Sequence, residues 1–590
     1  MGIFARFVGI LGSFAAAICL FCSFPLAAQP APQMPQMIRE FSADLYAIDS
    51  TYRVAISPDR SKRLERFYAA TEANLAAIDF NTLSHEDQID YLLLRNYVRS
   101  QKHQLALRKQ RVNEMAPLLP FAPVIEGLLA KKRLMQHPDA EQDAKALSDM
   151  VRQIKLLRAQ LDHGRAAAVL PGSTTDKAKF DAVVANRAAM ATEELSRNLQ
   201  KWFEQYDGYD PQFTWWVKMP YNAAQESLKN YAGFLREKLA GIAPGDTTTI
   251  LGDPVGREAL HQELADNMIP YTPEELIAIA ETEYDWCMKE MLKASREMGY
   301  GDDWRAAVEK VKQMHVPPGE QPDLIRKLVI EGSDFAKDNN LVTVPPLADE
   351  TWRMTMMTPE RQLVNPFFTG GDEISVSYPT NTMTYEQREM SMRGNNIPFA
   401  HATAFHEMIP GHFLQFYMQQ RYRPYRQIFD TPFWTEGNAF WWEMLFWDKG
   451  FDKTPEERIG ALAWRMHRSA RIVFTMNFHL GRWTPQQCVQ YLIDKVDFEP
   501  DNAAAEVRRA FDGSVGPLYQ SAYLLGALQF RAMHHELVDS GKMTDRQFHD
   551  AILHENNMPV ELLRADIENL KLVSDYTSQW KFYGDHPTHP

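Results

Sequence analysis

The sequence predicts a mainly α protein: a large helical body with a small edge β element near the helix that carries its chemistry. Three observations predict it. The first is a helix-start signal that recurs along the chain, in Thr272-Pro273-Glu274-Glu275, Thr454-Pro455-Glu456-Glu457 and Thr484-Pro485-Gln486-Gln487. In each, a hydroxyl can cap free backbone N–H groups, Pro presets φ at the first helical position, and an acid or amide three residues after the cap can reach back to it. The second is a hydrophobic content of 45% in 590 residues, which supports a large apolar core. The third is the rarity of strand patterning. Residues 339–380 break the helical character with Pro, Thr and Gly, and within them Ile374-Ser375-Val376-Ser377-Tyr378 alternates apolar and polar residues before Pro379. That is a short edge strand, some thirty residues before the residues of chemical interest. It is either a surface for an extended peptide or a plain structural hairpin.

Taken in order, the chain opens as a secretory leader. Arg6 is the only charge before Arg39, an apolar run follows from Phe7 to about Phe24, and Pro25-Leu26-Ala27-Ala28 offers cleavage after Ala28. Residues 1–28 are therefore expected to be a signal peptide and the mature protein to be periplasmic or secreted, with no membrane anchor after cleavage. The competing reading is an uncleaved anchor. Neither Cys19 nor Cys22 lies in a lipid-attachment pattern. Residues 29–37 read as a flexible lead-in, 38–580 as one helical catalytic body with two lobes around a cleft as a variant, and 581–590, with His586 and His589, as a disordered tail. Ser84 caps a helix through Ile89, Leu92, Leu93 and Asn96, and Thr272 opens one running to about residue 296.

Charge and cysteine usage narrow the function. The formal charge is −14, and loss of Arg6 alone makes it −15, which argues against a nucleic-acid partner. Of four Cys, only Cys287 and Cys488 follow the leader. One disulfide is open to them, but no disulfide framework and no Cys-rich metal site.

The chemistry concentrates in His406-Glu407-Met408-Ile409-Pro410-Gly411-His412, followed by Thr435-Glu436-Gly437. Two imidazoles can bind a metal, and the Glu beside the first can act as a base. The usual pair of metal-binding His residues is four apart on one helix face. Here they are six apart, which on an unbroken helix points them about 240° apart. Pro410 and Gly411 sit in the gap. If two residues bulge out, His412 returns to the face of His406; if the segment ends the helix, His412 is an ordinary residue. A hydrolytic site takes three protein ligands and leaves a position open. Glu436 and Glu443 compete for the third place. They are seven residues apart on one face, and spacing does not choose between them; the other would hold a ligand imidazole by its second nitrogen. The aromatic run of Phe433, Trp434, Phe440, Trp441, Trp442, Phe446 and Trp447 reads as core packing around these helices.

Two resemblances bear on the choice. Glu436-Gly437-Asn438-Ala439-Phe440-Trp441-Trp442-Glu443 resembles the Glu-Gly-Phe-Ala-x-Tyr-x-Glu helix of aminopeptidase-N-like gluzincins, whose first Glu is the third zinc ligand. More closely, the chain is similar to the bacterial family called domain of unknown function 885, grouped with the gluzincin peptidases. His406 through Gln415 fit its His-Glu-x-x-Pro-Gly-His-x-x-Gln. Glu436 to Glu443 fit part of its Glu-Gly-Trp-Ala-Leu-Tyr-x-Glu, and Pro517, Tyr523 and Gly526 fit its Pro-Gly-Gln-Ala-x-x-Tyr-x-x-Gly. The likeness covers most of the mature chain. It implies a zincin-like body, Zn²⁺ as cofactor and His406, His412 and Glu436 as ligands. It also implies Tyr523, with His479 second, as the donor to a developing oxyanion, and Arg509 as a contact for a substrate carboxylate. Asn438 and Trp441 depart from the pattern, as do Leu518 and Tyr519, which leaves substrate preference open. The Gly-x-Met-Glu-Asn segment of the aminopeptidases is absent, which lowers the case for an N-terminal exopeptidase. The leading expectation is a periplasmic zinc metallopeptidase for short peptides with Glu407 as general base. Two alternatives stand beside it: a zinc hydrolase of non-peptide amides or esters, and a non-catalytic periplasmic binding protein with a relict metal site.

Overall fold

The computed structural model describes residues 34–168, 181–246, 249–362 and 367–584. The leader, most of the lead-in and the end of the tail, with His586 and His589, lie outside the described residues. The described chain is mainly helical. It carries one tiny sheet of two parallel strands, β1 (Met354–Met356) and β2 (Ile374–Val376). The lead-in is shorter than its composition suggests. Met34 begins an 18-residue helix to Thr51, because its side chain and those of Ile38 and Phe41 are buried in the main core. No described helix is long and apolar enough to cross a membrane.

The start signals act where the spacing places them. Thr272, Thr454 and Thr484 each accept from the backbone three residues on while that residue's Glu or Gln reaches back, a reciprocal cap in all three. Their helices run Pro273–Glu297, Pro455–His479 and Pro485–Val496. Ser84 caps His85–Met115. The expected strand is real but differs in two respects. All three residues of β2 are buried. Both of its edges are also occupied, β1 on one side and on the other Thr369, which exchanges two backbone hydrogen bonds with Ser375. It therefore offers no free edge at Ser375. Cys287 and Cys488 are free, sit in separate apolar clusters, and have their thiols pushed up to about 12 by burial.

The element that positions the site is a helix pair. The Glu436 helix (Pro432–Asp448) packs along the tyrosine helix (Tyr519–His534), with Trp434, Trp441, Trp442 and Phe446 buried around it. His534 is buried there and lies 2.8 Å from Asp545. The two backbones touch at Gly437 and Gly526. A Cβ on Gly526 would stand 2.1 Å from the Phe433 carbonyl oxygen and 2.7 Å from the Gly437 Cα. Backbone cannot yield as a flexible side chain would, so the helices would have to separate. Gly526→Ala is expected to cost about 1–3 kcal/mol or more and to lower the thermal unfolding midpoint. An unchanged midpoint in a melting experiment would show that the pair tolerates separation.

Candidate metal centre

The site is built where two helices meet head to tail. The His406 helix (Ile397–Glu407) is capped by Asn396, which accepts from the Phe399 N–H, and it ends at Glu407. The His412 helix (His412–Gln419) begins five residues later. Between them the hydrogen-bond ladder jumps by two. Gly411 N–H donates to the Phe405 carbonyl and Leu414 N–H to the Met408 carbonyl, each reaching six residues back in place of four. The segment does end the helix, with Met408 to Gly411 outside it, yet these two long bonds return His412 beside His406. Gly411 is required by contact: a Cβ there would lie 1.8 Å from the His406 carbonyl oxygen. The two imidazoles end 4.9 Å apart between ring centres and at right angles.

Their Nε2 atoms converge on one carboxylate oxygen. Oε2 of Glu436 is 3.2 Å from Nε2 of His412 and 3.8 Å from Nε2 of His406. Donor atoms placed 2.0–2.1 Å from a tetrahedral centre are about 3.3 Å apart, so the spacing fits a zinc-sized ion. Glu443 takes the other place, its Oε1 2.6 Å from Nδ1 of His406. Gln415 does the same for His412: its Oε1 is 3.2 Å from Nδ1, and its amide donates to the Thr435 carbonyl and to Oδ1 of Asn438. Each ring is held by its far nitrogen, leaving Nε2 for the centre. Asn438, a departure from the family pattern, is therefore one link from a candidate ligand.

The electrostatics couple the carboxylate to the two imidazoles. Burial opposes charge on His406, but Glu436 and Glu443 outweigh it and hold its pKa at about 9. Burial opposes charge on His412 too, and Glu436 outweighs it, raising its pKa. Burial would raise the carboxyl of Glu436, yet the two imidazoles hold it well below the usual range. Oε2 of Glu436 is also buried without a well-directed hydrogen bond. An anionic, under-satisfied oxygen facing two imidazole nitrogens suits a metal ion.

Glu407 is half-buried beside this group. Ligand atoms of His406, Glu407 and His412 lie within 4.8 Å of one another. Its Oε2 accepts from the Gly370 N–H, in the segment that the Thr369–Ser375 pairing fixes. Tyr523 lines the same cavity, of about 660 Å³. Burial, then the charge of Glu436, push its pKa up to about 12, so its hydroxyl stays a donor.

His479 does not join them. It ends the Pro455–His479 helix, eight residues or about 12 Å along the axis from the cavity-lining Arg471. It is buried against Phe478 and Phe511, and burial, with Arg111 nearby, drives its pKa to about 3. It is a core histidine. Arg509 does line the cavity, and the neighbouring Glu506 pairs with Arg471 at 2.8 Å.

Tyr519 was not legible as a site residue. It stands where the family pattern has Gln, yet its hydroxyl donates to Oε1 of Glu436. Its position four residues before Tyr523, on the same helix face, was the available signal. Arg468 and Arg471, three apart on one buried face, were another. Their guanidinium carbons sit 5.2 and 4.4 Å from the Tyr523 ring centre.

With the geometry in place, comparison with known proteins assigns the family. The sequence profile described as "Bacterial protein of unknown function (DUF885)" matches residues 44–567. In fold the chain is similar to a candidate lipoprotein of unknown function from Shewanella oneidensis, with a TM-score of 0.66 at 17% identity over 91% of this chain and 100% of that one. A candidate lipoprotein from Colwellia psychrerythraea has a TM-score of 0.56 at 16% identity, over 91% of this chain and 98% of its own. No curated protein matches. The matched segment spans most of the helical body and every residue of the candidate metal centre, and the protein belongs to the DUF885 family.

Proposed function

We propose that the protein is a zinc-dependent peptidase that acts on short peptides outside the cytoplasm. The observation that carries the reading is the convergence of two Nε2 atoms on Oε2 of Glu436, with the Glu407 carboxylate beside them. His406, His412 and Glu436 would hold the ion. When bound, it would polarise a carbonyl and make water a stronger acid. Glu407 takes the proton of the attacking water and passes it to the leaving nitrogen, a relay its place at the cavity allows. Tyr523 donates to the carbonyl oxygen as charge develops on it. Glu443 and Gln415 orient the two imidazoles, and Tyr519 orients Glu436. The leader read from the sequence supports a place outside the cytoplasm. An intact base favours catalysis over a relict binding site.

Zinc reconstitution tests the reading. Purified protein should take up about one zinc per chain and then hydrolyse a peptide library. Hydrolysis only of non-peptide amides or esters would transfer the site to another bond, and failure to bind metal would end both readings. The reading also predicts a pH dependence. Without metal, His406 keeps its proton until about pH 9, and zinc must displace it. Zinc affinity should rise with pH up to that point, and uptake near neutrality should release protons. Titrations in buffers of different ionisation enthalpy would show this; affinity independent of pH from about 6 to 8 would contradict it.

A further inference from the structure

In a chain of formal charge −14, one wall of the cavity is positive. The Pro455–His479 helix and the helix Pro500–Phe511 bring Arg468, Arg471 and Arg509 to it against the single carboxylate of Glu506. Arg471 is committed to Glu506 through Nε and Nη2, both at 2.8 Å. Arg468 is buried among aromatic rings and lies 3.7 Å from Glu443 behind the site. Arg509 has no carboxylate partner among the described residues. Its one polar contact is Nη2 to the Tyr519 hydroxyl at 3.5 Å. Asn502, Ala505, Glu506 and Arg509 fall at helical spacing, and all four line the cavity. The small side chain of Ala505 leaves space beside the guanidinium. A half-buried guanidinium with a planar fork of donors and no anion is a receptor for a carboxylate.

Its distance from the metal centre says which carboxylate. The Tyr519 hydroxyl touches both Arg509 and Oε1 of Glu436. One long contact plus one hydrogen bond place the guanidinium within about 6.5 Å of the candidate ligand. In a peptide, three bonds separate the carbonyl carbon of the last peptide bond from the terminal carboxylate carbon, a span below about 4 Å. That spacing suits a carbonyl at the candidate centre and a carboxylate on Arg509 one residue apart.

We infer that Arg509 anchors the free α-carboxylate of the substrate, making the protein a carboxypeptidase that removes one C-terminal residue at a time. This rests on the peptidase reading above. The step is a hydrolysis: the water oxygen bonds to the penultimate carbonyl carbon, the C–N bond breaks, and Glu407 passes the proton to the departing nitrogen. The products are a shortened peptide acid and one free amino acid, and nothing is oxidised or reduced.

The test uses the zinc-loaded full protein and the pentapeptide Ala-Ala-Ala-Phe-Ala as free acid, as C-terminal amide and as N-acetylated acid, with products read by mass spectrometry. Both acids should lose their C-terminal Ala, and the amide should react at least about 10²-fold more slowly. Arg509→Ala should lower kcat/KM on the acid by about 10²–10³-fold, and by far more than on the amide, so that the preference collapses. Arg509→Lys should keep part of it. Equal rates on acid and amide, internal cleavage, release of the N-terminal residue, or full discrimination in Arg509→Ala would overturn the inference and leave the peptidase reading intact. No hydrolysis of any peptide by zinc-loaded protein would remove both. If Arg509→Ala does not fold, the wild-type comparison of acid with amide decides alone.

Discussion

Glu407→Gln is expected to give a folded, metal-binding protein that hydrolyses peptides about 10²–10⁴-fold more slowly than wild type. The substitution keeps side-chain volume. A Gln oxygen can still accept from the Gly370 N–H that now meets Oε2 of Glu407, so the local backbone has no cause to move. The three atoms that converge at the centre belong to His406, His412 and Glu436, and none is altered. What disappears is a group able to take a proton from water. Steady-state kinetics beside metal analysis would check this. Wild-type turnover in a metal-loaded Glu407→Gln protein would mean that another residue is the base, and a metal-free variant would mean that Glu407 is itself a ligand.

Zinc affinity should fall far more in Glu436→Ala than in Glu443→Ala. Removing Glu436 takes away the oxygen that both Nε2 atoms face, and it leaves two buried imidazoles and the Tyr519 hydroxyl without their partner. Removing Glu443 releases the far side of the His406 ring and takes a carboxylate from Arg468, a loss of orientation typically worth about 10–100-fold in affinity. Competition against a chelator of known affinity would rank them. The reverse order would make Glu443 the ligand and Glu436 the orienting group.

Much of this protein was readable one segment at a time. The capped starts at Thr272, Thr454 and Thr484 depend on contacts three residues apart, which any chain with those residues can make. The return of His412 to the face of His406 depends on Pro410 and Gly411, within the same seven residues. The same locality misled at residues 34–37, where polar and Pro-rich composition resembles a linker but Met34 finds a buried place. It misled at His479 as well, where a position matched from the family pattern proved to lie along the helix from the cavity.

The choice between Glu436 and Glu443 was beyond any local pattern, since two turns of one helix show both carboxylates on one face. Tertiary packing gives the two carboxylates different neighbours. Contact of the Glu436 helix with its neighbour at Gly437 and Gly526 fixes where that face points, so that Glu436 meets both Nε2 atoms while Glu443 meets Nδ1 of His406. Tyr519, Arg471 and Arg509 reach the same cavity from helices remote in sequence, and no spacing rule joins them to His406. Sequence spacing set which residue types can share a helix face, because a helix repeats every few residues. Which faces meet was left to the packing of distant helices, where side-chain volume and backbone contact decide.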